Sequence, residues 1–338
     1  MKPVFKKDRP ILIVDGNHCL HRVLHIPSVA NLTTSDGRRC GGVYEFFRSL
    51  RKAMERFDPS KVVVIWDGGK SARRMALHEG YKASRGTGKT HSPIPNDPDG
   101  KLYKQEFYNQ NKIVNDILPN LGVVALRLKG READDIVWWS RQLIRDSGDS
   151  REAVIMSEDR DFYQMVDDTT DLYMPVKDMY MSLGNFFTIA EVPIERFLIY
   201  KSILGDKGDD IGGISGIGDK TAKMIANNAV ITKDIKDIKN VLESLRQWCA
   251  YSNDKRAQKL THNIDIVWRN YQLVHLGSEV LEEDEKEAIL SALKCKQSLD
   301  LNFVLRSFRD MQFHSILKNW YDFTIPFRRL GTEGVDNG

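Results

Sequence analysis

The sequence lacks the features that define several common protein classes. Its four cysteines, Cys19, Cys40, Cys249 and Cys295, are scattered and form no CxxC pair. That spacing excludes a cysteine zinc site and offers no disulfide framework, so they read as ordinary thiols. No apolar run approaches the ~20 residues needed to cross a bilayer, and no membrane partner is expected. The opening MKPVFKKDRPILIVDGN is basic, but its apolar run is short and stops at Asp15. This is the pattern of a first strand and not of a secretory signal, and it points to the cytoplasm. A net charge of +3 over 338 residues is too small to imply nucleic acid, so the distribution of charge has to decide. No internal repeat or low-complexity array is visible, and the length suits two domains of roughly 100 to 200 residues each.

What the chain does have is carboxylates in tight groups. In KGREADDIVWWS, Glu132, Asp134 and Asp135 precede an apolar helix-like stretch. In AVIMSEDRDF, Asp159 and Asp161 follow a strand-like run. Crowded carboxylates repel one another and disfavour ionisation, so a counter-charge is required. An oxygen-rich cluster suits Mg²⁺ or Mn²⁺, hard cations that take few direct protein ligands. The plainer reading, an acid capping a helix and favouring its dipole, is adequate for one Asp but not for the whole set.

The same pattern recurs earlier. Residues 10–14 (PILIV) and 61–66 (KVVVIW) read as buried strands ending in Asp15 and Asp67, with an amphipathic helix over 42–57 between them. A helix within 107–118, the strand-like VVALRL, a helix over 134–146, a strand over 153–157 and helical positions in 158–168 continue the alternation. The fold class is therefore α/β with a parallel sheet and helical crossovers. Acids follow four successive strands, at the carboxyl ends where such sheets hold ligands.

Residues 68–104 carry eight cations, Lys70, Arg73, Arg74, Lys82, Arg85, Lys89, Lys101 and Lys104, against Glu79, Asp97 and Asp99. So one-sided a segment can follow a phosphate backbone, with Tyr81 or Tyr103 stacking on bases. From residue 196 the pattern turns mostly helical. There Gly213-Ile214-Ser215-Gly216-Ile217-Gly218 forms a tight turn into a helix starting near Asp219 or Lys220. Amides at that helix start would hold a phosphate, helped by Lys220 and Lys223, without reading bases. Asp206, Asp209 and Asp210 precede the turn. Residues 231–260, 264–276 and 298–320 read as helices, Trp320, Tyr321 and Phe323 as core packing more than a partner anchor, and the final residues as a frayed tail.

Taken together, IVDGN, WDGG, YKASR, EADD, SEDRDF and GDKGDDIGGISGIGDKTA resemble the flap endonuclease or 5′-to-3′ exonuclease family, in family order over roughly residues 10–225. Free-standing bacteriophage 5′ nucleases and the nuclease domain of bacterial DNA polymerase I look most similar. The resemblance implies a PIN-like nuclease domain over 1–195 with a helical arch at 68–104. A mainly helical module over 196–325 would follow, with a helix-three-turn-helix motif near 205–226 and a tail at 326–338. It implies a first metal site of Asp15, Asp67, Glu132 and Asp134 with Asp135 close by, and a second of Asp159, Asp161, Asp206 and Asp209. Two or more Mg²⁺ or Mn²⁺ ions would bind. Tyr81, Lys82 and Arg85, with Arg74, match basic and stacking arch positions. Gly213, Gly216, Gly218, Lys220, Thr221 and Lys223 match a duplex grip, with K⁺ on the turn carbonyls.

The implied activity is hydrolysis of 5′ flaps, 5′-ended duplex DNA and RNA primers by a monomer in the cytoplasm, in the host cytoplasm if the gene is a bacteriophage's. A polymerase, sliding clamp or single-strand-binding protein is a candidate partner, although no docking motif is visible. Asp210 departs from the family's GDxxDN pattern, which has Asn there. The alternatives are a PIN-like ribonuclease acting on single strands, which has no evident use for a duplex grip, and a non-catalytic junction-binding protein.

Overall fold

Largely apolar strands build the centre of the molecule, and the alternation of their side chains decides which helices cover which face. In the computed structural model, which describes residues 9–84, 92–149, 151–228, 238–295 and 298–330, the chain opens with β1 (Ile11–Asp15), α1 (Gly16–Leu24), α2 (Pro27–Ala30), α3 (Gly41–Phe57), β2 (Lys61–Trp66), α4 (Ala72–Leu77) and α5 (Lys101–Ile117). Next come β3 (Val124–Arg127), α6 (Ala133–Asp146), β4 (Ala153–Met156), β5 (Thr170–Met174) and β6 (Met179–Met181). The six strands pair in the order β3-β2-β1-β4-β5-β6, all parallel except the last hairpin. The parallel sheet expected from the alternation is therefore present. β1 lies between β2 and β4, so the chain reverses its direction of travel there, and ligands of such sheets sit beyond the strand ends at that point.

Strand side chains alternate between faces, so neighbours along β1 enter different cores. Ile11 and Ile13 join Val63, Ile65 and Ile155 against α6 and the later helices. Leu12 and Val14 join Val62, Val64 and Trp66 against α1, α3 and α5. Both faces are dry, which is why these strands read as continuous apolar runs.

The second half is α7 (Phe186–Ala190), α8 (Ile194–Leu204), the two-residue strands β7 (Gly205–Asp206) and β8 (Ile211–Gly212), then α9 (Asp219–Asn228) and α10 (Ile238–Ala250). After these come α11 (Lys255–Thr261), α12 (Ile264–Val274), α13 (Glu283–Lys294), α14 (Leu301–Asp310), α15 (His314–Lys318) and α16 (Trp320–Arg328). Residues of α8 to α13 pack on the Ile11 face, whereas Val304, Phe308, Ile316, Phe323 and Phe327 return to the α3 and α5 face. The apolar cores thus run through the position 195/196 without a break. α16 continues to Arg328, past the expected start of the tail.

Local structure refines the sequence reading. α5 begins at Lys101, six residues before the expected helix, because Asp97 accepts the amides of Leu102 and Tyr103 and caps it. Residues 160–165 are helical as expected, in the form of a 3-10 helix. The last two strands, β5 and the edge strand β6, five and three residues long, had no sequence reading. In the expected arch, the described part of 68–104 holds the six-residue α4 and the start of α5.

Candidate metal centre

The strand ends put their acids beside helix starts, and each acid uses one oxygen as a cap. Asp15 caps α1 through the His18 amide at 3.0 Å, and its other oxygen accepts from Ser157 Oγ at 3.1 Å. Asp67 caps a helix that is not its own, accepting the Ala133 amide of α6 at 2.8 Å, while Asn17 Nδ2 donates to its second oxygen at 2.8 Å. This crossing is possible because Gly68 lets two chains touch: a Cβ there would stand 1.7 Å from the Leu128 carbonyl oxygen. Asp159 accepts the Asp161 amide at 2.9 Å, and Asp206 the Gly208 amide at 2.7 Å. Capping and ligand roles are therefore not exclusive. Capping uses one oxygen and orients the other.

Nine carboxylates come together: Asp15, Asp67, Glu132, Asp134, Asp135, Asp159, Asp161, Asp206 and Asp209. They are linked by mutual repulsion that runs from Asp67 through Asp15 to Asp159, and on to Asp161 and Asp206. Burial is the largest cause of the shifts, holding Asp15 well above the ordinary carboxylate range and raising Asp67 and Asp159. The Asp161 carboxyl is pushed up to about 6. Asp206 is opposed by the same burial but ends below the ordinary value, because the Lys201 ammonium and the amides of Gly208 and Asp209 favour its charged form.

Three cations enter the cluster. Arg74 is 1% exposed, and its guanidinium meets both oxygens of Asp135 at 2.7 Å and Glu132 at 2.5 Å, with Nε on the Leu273 carbonyl at 3.0 Å. Lys82 Nζ lies 2.8 Å from Glu132 and 3.8 Å from Asp209. Lys201 Nζ bridges Asp161 and Asp206, the latter at 2.7 Å. Nine acids against these three cations, with oxygen as the only donor type, fit a hard divalent cation. Glu132, Asp134 and Asp135 offer ligand atoms all within 4.8 Å of one another, although both oxygens of Asp135 are committed to Arg74.

The residues expected to face substrate are turned inward. Arg74, on α4, is buried. Tyr81 is 3% exposed, its hydroxyl donating to Glu132 at 2.7 Å and lying 3.3 Å from Asp209. Lys82 is 8% exposed. The cause is electrostatic, since the uncompensated acids attract the nearest cations. Arg85 lies outside the described residues.

At the glycine turn, Gly216 adopts φ +80° and, like Gly218 and Lys220, is exposed. Thr221 is buried, Gly213 is half-buried, and Lys223 is engaged by Glu191 and Asp219 at 2.6 and 2.8 Å. A side chain missing from the sequence reading joins them: the Lys259 ammonium of α11 would lie 2.9 Å from a Cβ placed on Gly216. Lys201 was also missed. Its signal was there, a lone lysine in the apolar run FLIYKSIL, since a buried ammonium requires an acid.

Residues 10–192 match the family model of the 5′-3′ exonuclease N-terminal resolvase-like domain. Among curated relatives, the thermostable DNA polymerase I of Thermus filiformis is 32% identical over 258 residues, covering 73% of this chain and 28% of the polymerase. The chain thus spans about a quarter of the length of such polymerases. The 5′-3′ exonuclease of Mycoplasmopsis pulmonis is 24% identical over 313 residues, 89% of this chain and 94% of that one. The fold is that of the bacteriophage T5 D15 flap endonuclease, solved in complex with DNA and metal ions. It aligns with a TM-score of 0.61 at 19% identity over 94% of this chain and 99% of the other. Among the described residues, no helix is long and apolar enough to cross a membrane.

Proposed function

The chain belongs to the 5′-3′ exonuclease family, and on that footing we propose that it is a structure-specific 5′ nuclease that cuts 5′ flaps at duplex junctions and degrades 5′-ended duplexes, RNA primers included, during replication. The observation that carries this reading is the convergence of acids from four strand ends and the 205–212 hairpin on one partly buried cluster. Asp15, Asp67, Glu132 and Asp134 would hold one divalent ion, Mg²⁺ or Mn²⁺, and Asp159, Asp161, Asp206 and Asp209 a second. Such a pair, when bound, supplies an acidified water and charge stabilisation for in-line displacement at a phosphodiester.

The chain's own residues do the positioning. Asp135 fixes Arg74, and Arg74 holds Glu132 in place. Lys82 and Arg85 supply positive charge to the scissile phosphate, an electrostatic contribution strengthened by exclusion of water. Gly213, Gly216, Gly218, Lys220, Thr221 and Lys223, with Lys259, grip the duplex backbone, and a K⁺ ion on the turn carbonyls would complete that grip. The nuclease would work as a monomer in the cytoplasm, beside a polymerase, clamp or single-strand-binding protein.

The deciding experiment is cleavage of a 5′-labelled flap duplex with Mg²⁺ and with chelator. A metal-dependent cut at the junction is expected, with mono- and dinucleotides marking exonuclease action. No metal-dependent product, or cutting of unstructured RNA alone, rejects the reading.

A further inference from the structure

Asp210 is held in the left-handed region at φ 58°, a conformation that suits glycine, Asn and Asp and few other residues. Its side chain accepts the Ser84 amide at 2.9 Å, and its carbonyl oxygen lies 3.1 Å from His78 Nε2. One residue earlier, the Asp209 carbonyl accepts the Lys82 amide at 3.0 Å. Two adjacent residues therefore stitch the segment 78–84 to the 205–212 hairpin. The segment is fastened from its other side as well, because Lys70 Nζ, just beyond Asp67, donates to the Lys82 carbonyl at 3.0 Å.

The stitched segment carries Tyr81 and Lys82, whose polar ends lie on Glu132. The hairpin runs directly into the exposed glycine turn, with Ile214 donating its amide to the Ile203 carbonyl at 3.0 Å and tying that turn to α8. α8 also carries Lys201, the counter-ion of Asp161 and Asp206. Asp210 thus joins the turn that would hold duplex to the segment that would serve the scissile phosphate.

We propose that Asp210 is a positioning residue whose hydrogen bond to Ser84 couples duplex engagement at the glycine turn to the placement of Tyr81 and Lys82 over the carboxylates. This rests on the nuclease reading given above. The bond, and not the negative charge, does the coupling. Asn, which tolerates the same φ and still offers an oxygen, should therefore substitute for Asp, whereas glycine keeps the backbone and loses the acceptor.

The test uses the full chain with Mg²⁺ and a 5′-flap duplex, comparing wild type with Asp210→Asn and Asp210→Gly. The Asn variant should keep kcat within about twofold, a difference smaller than one net hydrogen bond. The Gly variant should lose about ten- to hundredfold in kcat at unchanged KM, the size of effect expected of a misplaced catalytic group. Independently of cleavage, hydrogen exchange at the Ser84 amide should accelerate about tenfold in the Gly variant, as expected on loss of one protecting bond, and stay slow in Asn. A Gly variant with wild-type kcat and a protected Ser84 amide overturns the proposal. So does an Asn variant that falls as far as Gly, since that assigns the role to charge. If wild type cuts no flap, the nuclease reading fails, and the exchange comparison still judges the tether.

Discussion

At the Glu132 end of the acidic cluster the counter-charges are the Lys82 ammonium and a guanidinium with both edges committed. Arg74 is clamped by Asp135 and Glu132, and its own position is set by the Leu273 carbonyl. At the Asp161 end the counter-charge is a single ammonium, Lys201, shared by Asp161 and Asp206. The guanidinium is a planar fork that fits carboxylates in pairs, so it acts as part of the scaffold. The ammonium is a point charge on a flexible stem and can yield its place when another cation arrives. The same Lys201 leaves Asp206 lowered and Asp161 raised, because Asp161 is the more deeply buried, beside Asp159 and Asp206, whereas Asp206 also receives backbone amides. The Glu132 end thus carries a planar clamp that the Asp161 end lacks.

If the Asp161 end exchanges charge during catalysis, neutralising it should have the largest effect on turnover. Asp161→Asn is expected to lower kcat about a thousandfold, on the order of 4 kcal/mol of transition-state stabilisation, while gel-shift binding to a flap duplex persists. Turnover at the wild-type rate would remove this end from the chemistry. Next in size is the scaffold role of the other end. Arg74→Ala strands Asp135 as a buried charge and leaves Glu132 only Lys82 and Tyr81, and should cost about 3 to 5 kcal/mol in urea unfolding, more than Lys201→Ala in the same assay. Equal costs would dissolve the contrast.

A pH series in chelator probes the Asp161 end with a smaller effect. Its folded carboxyl titrates at about 6 against an ordinary 3.8, so between those values the folded state keeps a proton that the unfolded state has lost. Stability must then fall as pH rises from about 4 to about 6, by at most about 3 kcal/mol, and melting temperature should drop across that window. Mg²⁺ at pH 7 should restore it. A melting temperature that rises across the window in chelator would contradict the assignment. The smallest effect belongs to Tyr81→Phe, which removes one hydroxyl from Glu132. It should cost about 1 to 2 kcal/mol in unfolding and only a few-fold in cleavage. A loss as large as that of Arg74→Ala would mean that the tyrosine, and not the guanidinium, organises this end.

The strand ends with their acids, the alternation of strands and crossover helices, and the glycine turn could all be read along the chain. Each is a local pattern: a β-branched run closed by Asp, a helical period, or closely spaced glycines. β5 (TDLYM) opens on two polar residues and β6 (MYM) has only three, so neither stands out as an apolar run. α5 starts earlier than its apolar spacing indicates because its cap, Asp97, stands four residues ahead of Lys101 within a stretch rich in Pro and Gly.

The sequence alone determined that acids would gather at the carboxyl ends of a parallel sheet, because period and strand polarity place them there whatever the rest of the chain does. It could not say which cations would meet them. Arg74 reaches Glu132 across 58 positions, and Asp210 receives the Ser84 amide across 126. Such partners are chosen by packing, burial and charge in three dimensions, and no local periodicity encodes them. The tertiary structure decided that Arg74, Tyr81 and Lys82 turn into the cluster, that Lys201 stands between Asp161 and Asp206, and that the last helices return to the α3 face. In each case the decisive quantity is the cost of leaving a buried charge or an apolar face without a partner.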